Sequence, residues 1–254
     1  MNKESPELLQ QAADAGDATA QNKLAMMYAM GEGVSMDVRK AFSLFEKSAK
    51  QGNSEAQCNL AFMYANGQGV EENMPMAVEW MRKSAEQGFH QALFNMGMLH
   101  ESGEWVDQDV QKAFEYYQRA AEEGNNPSAH YNLGLFYYSG NHVVGQNHEK
   151  AVACFHKGAE EGHKESQYSL GLCYNLGTGV EKDYTSAVQY YTLAANQGHP
   201  SAQFNLALNY YYAQGDVAEN KKLALDLFDK ASRQGHEDAE KAYHALKQEL
   251  EDSE

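Results

Sequence analysis

Hydrophobic positions recur along this chain with two nested periods. The short one is helical. Leu60, Phe62, Met63 and Tyr64, and farther on Leu133, Leu135 and Tyr137, mark one kind of helix, helix A. Ala41, Leu44, Phe45 and Ala49 mark a second, helix B, and recur as Ala113, Tyr116, Tyr117 and Ala121, then as Ala187, Tyr190, Tyr191 and Ala195. The long period appears when "AQNKLAMMYAMGEGV" from Ala20 is laid over "AQCNLAFMYANGQGV" from Ala56. Equivalent positions are Ala20, Ala56, Ala92, Ala129, Ser166, Ala202 and Ala239, in steps of 36, 36, 37, 37, 36 and 37 residues. A period of that size belongs to units that cannot each bury a core alone and must stack. A chain of 254 residues, long enough for two ordinary domains, is therefore expected to form one continuous array.

Polar punctuation fixes the ends of the helices. Asp37, Asn73, Asp109, Asn147, Asp183 and Asn220 each stand four residues before the first Ala of a helix B, where a side-chain oxygen can accept from a free backbone N–H. Pro127 and Pro200 fall at the first position of helix A, where a missing N–H does no harm. Gly52, Gly88, Gly124, Gly162, Gly198 and Gly235 are expected to close the six B helices. The paired glycines of "GEGV", "GQGV" and "GTGV" could suggest a phosphate loop, but they repeat between two helices with no strand before them. They read as turns that need positive φ.

These residues resemble the Sel1-like repeat, through A-x-x-x-L-[AG]-x-x-Y-x-x-G-x-G-V, an Asp or Asn, and then A-x-x-h-h-x-x-[AS]-A-x-x-G, where h is hydrophobic. The resemblance implies an all-α, right-handed α-solenoid of six helix-turn-helix repeats related to tetratricopeptide repeats, with a flanking helix at each end. Residues 1–16 would be the N-terminal capping helix, 17–235 the six repeats, and 236–254 a C-terminal helix with an acidic tail. It also implies an adaptor or scaffold that presents a concave face to other proteins. An immunity or inhibitor protein that neutralises a toxic enzyme is the alternative. A hydrolase acting on peptidoglycan or β-lactams is a more distant one.

Composition narrows this further. The formal charge of −16 disfavours nucleic acid and anionic membrane surfaces, and points to a basic protein or peptide as partner. No apolar run is long enough for membrane insertion, and the N-terminus lacks the pattern of a signal peptide. A cytoplasmic location is expected, or a periplasmic one if a leader has been removed. Cys58, Cys154 and Cys173 lack CxxC spacing and read as small buried hydrophobes. His163, His199 and His236 each follow a closing Gly and belong to a turn. His142 and His148 share one loop without a third ligand, so no metal, cofactor or catalytic set is expected.

Candidate contact residues lie on helix A. Three residues after the reference Ala stand Asn59, Asn95, Asn132 and Asn205, interrupted by Lys23 and Ser169. Resemblance to tetratricopeptide superhelices gives these amides a groove role, gripping a peptide backbone, and a bridge between neighbouring helices is the structural reading. One residue earlier runs an aromatic row that includes Tyr131 and Tyr168, mostly inter-repeat packing. Tyr138, Tyr211 and Tyr212 are less constrained by the repeat and suit an interface. In repeat 3, Glu101, Glu104, Asp107 and Asp109 gather around Trp105, which stands where a turn glycine belongs. Acid beside an aromatic suits Lys or Arg, and an acidic loop that is merely solvated is the plain alternative.

Overall fold

The computed structural model describes residues 5–252, so the outermost residues of the expected end segments, 1–4 and 253–254, lie outside the described residues. Fourteen helices and no strand are found among the described residues. The helix A set is α2 (Ala18–Met30), α4 (Ser54–Asn66), α6 (His90–Ser102), α8 (Pro127–Ser139), α10 (Lys164–Leu176) and α12 (Pro200–Tyr212). The helix B set is α3 (Val38–Lys50), α5 (Met74–Glu86), α7 (Val110–Gly124), α9 (His148–Glu160), α11 (Tyr184–Asn196) and α13 (Lys221–Ser232). The flanking helices are α1 (Pro6–Asp14) and α14 (Glu237–Glu251). The chain is a helical repeat solenoid. It divides into two compact units, one up to Asn126 and one from Pro127.

Each repeat buries one side of helix B against its own helix A. Leu24, Phe45, Leu60, Leu93, Met96 and Tyr117 lie in the interior of the first unit, and Phe155, Leu170, Tyr191, Leu206 and Phe228 in that of the second. In three repeats the fit depends on a helix A glycine. A Cβ on Gly97 would lie 2.6 Å from the Tyr117 ring and one on Gly171 2.7 Å from the Tyr191 ring, and Gly134 faces Phe155 in the same way.

All six expected helix B caps form, with side-chain oxygens 2.9–3.1 Å from backbone nitrogens in the first turn. Pro127 and Pro200 open α8 and α12 as expected. Five of the six closing glycines sit just beyond helix B at positive φ. Gly124 does not: α7 runs through it and Asn125 takes the left-handed conformation at φ 45°. The extra residue of repeat 3 lengthens its helix B.

The glycine pairs are turns, with Gly67 at φ 64° and Gly69 at φ 72°. The second glycine also admits a close approach, because a Cβ on Gly69 would lie 2.5 Å from the Val38 carbonyl oxygen at the start of the preceding helix B.

Glutamines join the repeats. Gln21, Gln57, Gln167 and Gln203, next after the reference position, donate to the carbonyls of Ala13, Ala49, Ala159 and Ala195 at 3.0–3.2 Å, the first in the flanking α1 and the others in the preceding helix B. Their own side-chain oxygens accept from Gln51, Gln87, Gln197 and Gln234, near the end of helix B in the same repeat, at 2.7–2.8 Å. All four first-row glutamines are buried, so this chain of bonds satisfies amides that would otherwise be costly to desolvate. Repeats 3 and 4 carry Leu93 and His130 instead, and there the helix B residue is Glu123 or Glu161.

Candidate protein-binding face

Helix A also needs caps. Asp17 and Asn53 supply carboxylate and amide oxygens in the first unit. In the second unit the work falls to histidine: Nδ1 of His163, His199 and His236 accepts from the backbone N–H of Ser166, Ala202 and Ala239 at 3.2–3.3 Å. Nδ1 is therefore unprotonated. Each ring lies against the aromatic of the preceding helix A, with Tyr131–His163 centroids at 5.3 Å, Tyr168–His199 at 4.5 Å and Phe204–His236 at 4.7 Å. The aromatic row, with Tyr131 and Tyr168, thus sits in inter-repeat packing. Burial pushes both phenols upward in pKa and pushes His163 and His199 downward.

The asparagine row is half-buried. Asn59 donates to the Asn22 oxygen at 3.4 Å, and Asn22 donates onward to Glu55 at 2.8 Å. Asn95 accepts from Gln91 at 3.2 Å and directs its NH2 to the Met81 sulfur at 3.8 Å. Asn205 sits beside the Tyr168 and Tyr191 hydroxyls, where its amide opposes the upward shift imposed by burial. Asn132 lies at the equivalent place on α8.

The tyrosines divide. Tyr138 is half-buried, its ring 5.0 Å from His148 and 6.5 Å from Phe155. Tyr211 donates to Glu249 at 3.0 Å, and Lys221 bonds the same carboxylate at 2.6 Å, which holds Glu249 below the usual carboxylate range. Tyr212 projects into solvent and meets the edge of the Tyr211 ring at 4.8 Å.

The acidic cluster of repeat 3 is partly engaged. Glu101 accepts from the buried Tyr117 hydroxyl at 2.6 Å, and Asp109 caps α7 and pairs with Lys112 at 3.1 Å. The carboxylates of Glu104 and Asp107 have no hydrogen bond or ion pair among the described residues. Trp105 is 63% exposed and held at φ 65°. A left-handed conformation costs an L-residue roughly 1–2 kcal/mol, so Trp105→Gly should raise stability by about 1 kcal/mol in urea unfolding.

One row escapes a reading by repeat consensus. Six residues after the reference position stand Met26, Phe62, Met98, Leu135, Leu172 and Leu208, apolar in every repeat and one turn beyond the asparagine row on the same side of helix A. Phe62 is 41% exposed, Met98 49% and Leu135 39%, while Met30, Leu176 and Tyr212 extend the exposed apolar surface another turn. Within the first unit this face opens into a cavity of about 300 Å³ between α4, α5 and α6. Within the second, a cavity of about 210 Å³ lies against α12, α13 and α14.

Reactive chemistry is sparse. Among the described residues no three His, Cys, Asp or Glu gather as metal ligands. The three cysteines are free; Cys58 and Cys173 are buried, with thiols pushed up to about 12 and about 11 by desolvation. Cys154 is only half-buried, contrary to the expected full burial, and burial raises its thiol as well. No described helix is long and apolar enough to cross a membrane.

The Sel1 repeat family model matches residues 7–17, 18–53, 54–89, 90–125, 127–163, 164–199 and 200–236. Among solved structures, a Sel1 repeat protein from Oxalobacter formigenes is 32% identical with a TM-score of 0.79, over 90% of this chain and 99% of that one. The protective antigen c5321 of uropathogenic Escherichia coli is 26% identical with a TM-score of 0.64, over 98% of this chain and 68% of that one. The immunity protein PA5088 from Pseudomonas aeruginosa, 24% identical over 85% of this chain and 80% of that one with a TM-score of 0.54, shares the fold. Curated protein sequences gave no match. Because the family model accounts for almost every residue from 7 to 236, the chain belongs to the Sel1 repeat family.

Proposed function

We propose that this chain is a non-catalytic protein-binding module that meets a basic partner on the helix A faces of its repeats. The observation that carries this reading is the sixth-residue row: Phe62, Met98 and Leu135 are exposed in three consecutive repeats, Met26, Leu172 and Leu208 are half-buried, and apolar surface of this kind is unfavourable unless a partner covers it. Asparagines one turn away can add hydrogen bonds to a backbone. The charge of −16 favours a basic partner.

Affinity capture from a lysate of the source organism, with wild type and Leu135→Ser/Leu176→Ser compared, tests the reading. Both side chains are exposed, so the melting temperature should hold while the captured protein is lost. In a titration of that protein, Asn95→Ala/Asn132→Ala should weaken binding by about 1 kcal/mol per lost hydrogen bond. Unchanged capture by the serine variant, with its fold intact, would count against the reading. An immunity role would appear as a captured enzyme whose turnover stops when this chain is added. PA5088 motivates that outcome by fold only.

A further inference from the structure

We propose that the cavity between α4, α5 and α6 is an anchor pocket for one large apolar side chain of a protein partner, carried on a segment with Lys or Arg beside that side chain. The proposal rests on the protein-binding reading above and adds the chemistry of the bound segment.

The cavity arises from two small residues. Ala65 and Val78 both line it, at a place where the other repeats carry more bulk in at least one of the two positions. The corresponding pairs are Ala29 with Phe42, Glu101 with Phe114, Tyr138 with Val152, Asn175 with Val188, and Tyr211 with Leu225. Tyr138 shows what a large residue does there: its ring packs on His148 and Phe155, the counterparts of Met74 and Met81, which line the open cavity. Tyr211 lines the corresponding space in repeat 6, which is reduced to about 210 Å³. Repeat 2 alone joins an Ala to a Val, and its space stands at about 300 Å³. That size is at the low end for ligand sites and suits a single side chain rather than a cofactor.

The walls define the occupant. Met74, Met81, Met98 and Phe62 surround the space, and thioethers adapt to varied apolar shapes. Asn95, the one amide in the lining, is held by Gln91 and the Met81 sulfur, and most of the remaining lining is apolar. At the rim stands Glu104, whose carboxylate is not taken by any described residue, followed by the exposed Trp105. Together they favour a cation next to the anchor, by Coulomb attraction and by contact with the indole face.

Random linear peptides displayed on phage and selected on the immobilised full chain provide the test. Selected sequences should share one Phe, Trp, Leu or Met flanked by Lys or Arg. The strongest, synthesised with a fluorophore, is then titrated against wild type, Ala65→Tyr, Glu104→Gln and, as a control in repeat 1, Ala29→Tyr. Ala65→Tyr should weaken binding about tenfold or more, as loss of a central anchor does. Glu104→Gln should weaken it about twofold to fivefold, an effect that shrinks as salt rises. Ala29→Tyr should bind as wild type. If Ala65→Tyr loses its fold, Val78→Phe closes the same space with the residue type found at Phe42 and Phe114.

Absence of selected peptides, selection of acidic ones, or full affinity in a folded pocket-filling variant would each overturn the proposal. Full affinity in the filled variant, together with loss of partner capture in Leu135→Ser/Leu176→Ser, would overturn the pocket while the protein-binding reading stands.

Discussion

Gly97→Ala should destabilise the protein by about 1–3 kcal/mol, although a glycine-to-alanine exchange inside a helix ordinarily stabilises by about 0.5–1 kcal/mol. The sign reverses because the added methyl would lie 2.6 Å from the Tyr117 ring. Tyr117 is fully buried and its hydroxyl is tied to Glu101 at 2.6 Å, so the ring has nowhere to retreat. Repeat 2 carries the other solution at the same place, Ala61 with Met81. The double change Gly97→Ala/Tyr117→Met should therefore cost less than the sum of its single changes, by about 1–2 kcal/mol in a urea-unfolding cycle. Strict additivity, or a stabilising Gly97→Ala, would mean that helix A and helix B do not meet through this pair.

Acidification should weaken the second unit through its histidine caps. Nδ1 of His163 and of His199 accepts a backbone N–H, and a proton on that atom turns an acceptor into a donor facing another donor. Burial depresses both folded-state values below 6.5, Glu165 opposing in each case. The unfolded chain therefore binds protons first as pH falls, and stability declines with acid. The contribution is complete above the unfolded value near 6.5, falls as pH drops below it, and levels off beneath the depressed folded values. A lost cap costs about 1 kcal/mol, so the two together remove about 2 kcal/mol. His163→Asn/His199→Asn substitutes the cap used at Asn53 and should flatten the melting temperature between pH 7.5 and pH 5, roughly the range over which a histidine titrates. A decline as steep in that variant as in wild type would place the acid sensitivity elsewhere.

Much of this architecture is legible in the sequence because each signal acts locally. An Asp or Asn four residues before an Ala caps the helix that follows, and a paired glycine makes a turn, whatever lies across the interface. Gly124 departs from the pattern because an Asn directly after it can take the same left-handed conformation, and α7 runs on to its cap at Asn125. The glutamine bonds were harder to see, since Gln51 meets Gln21 only after helix B folds back on helix A. A trace was present: the same four repeats carry both glutamines, and the two without the first also lack the second. The anchor cavity depends on two absences of bulk, at Ala65 and Val78, which no single-residue pattern registers. Glu101 and Tyr211 read from the sequence as surface contact groups, yet each is bonded to another helix of the chain, which only the folded geometry reveals.

The glutamine bonds also bear on how such a protein grows. Gln51 and Gln21 belong to one repeat, and the atom that Gln21 seeks next door is a backbone carbonyl, present whatever side chain sits there. A copied 36-residue segment from this part of the chain would bring both members of its polar pair with it and ask its new neighbour only for a helix. Lengthening by duplication would then require no matching mutation at the seam. Repeats 3 and 4, with Leu93 and His130, lack this polar pair and would not be interchangeable in that way.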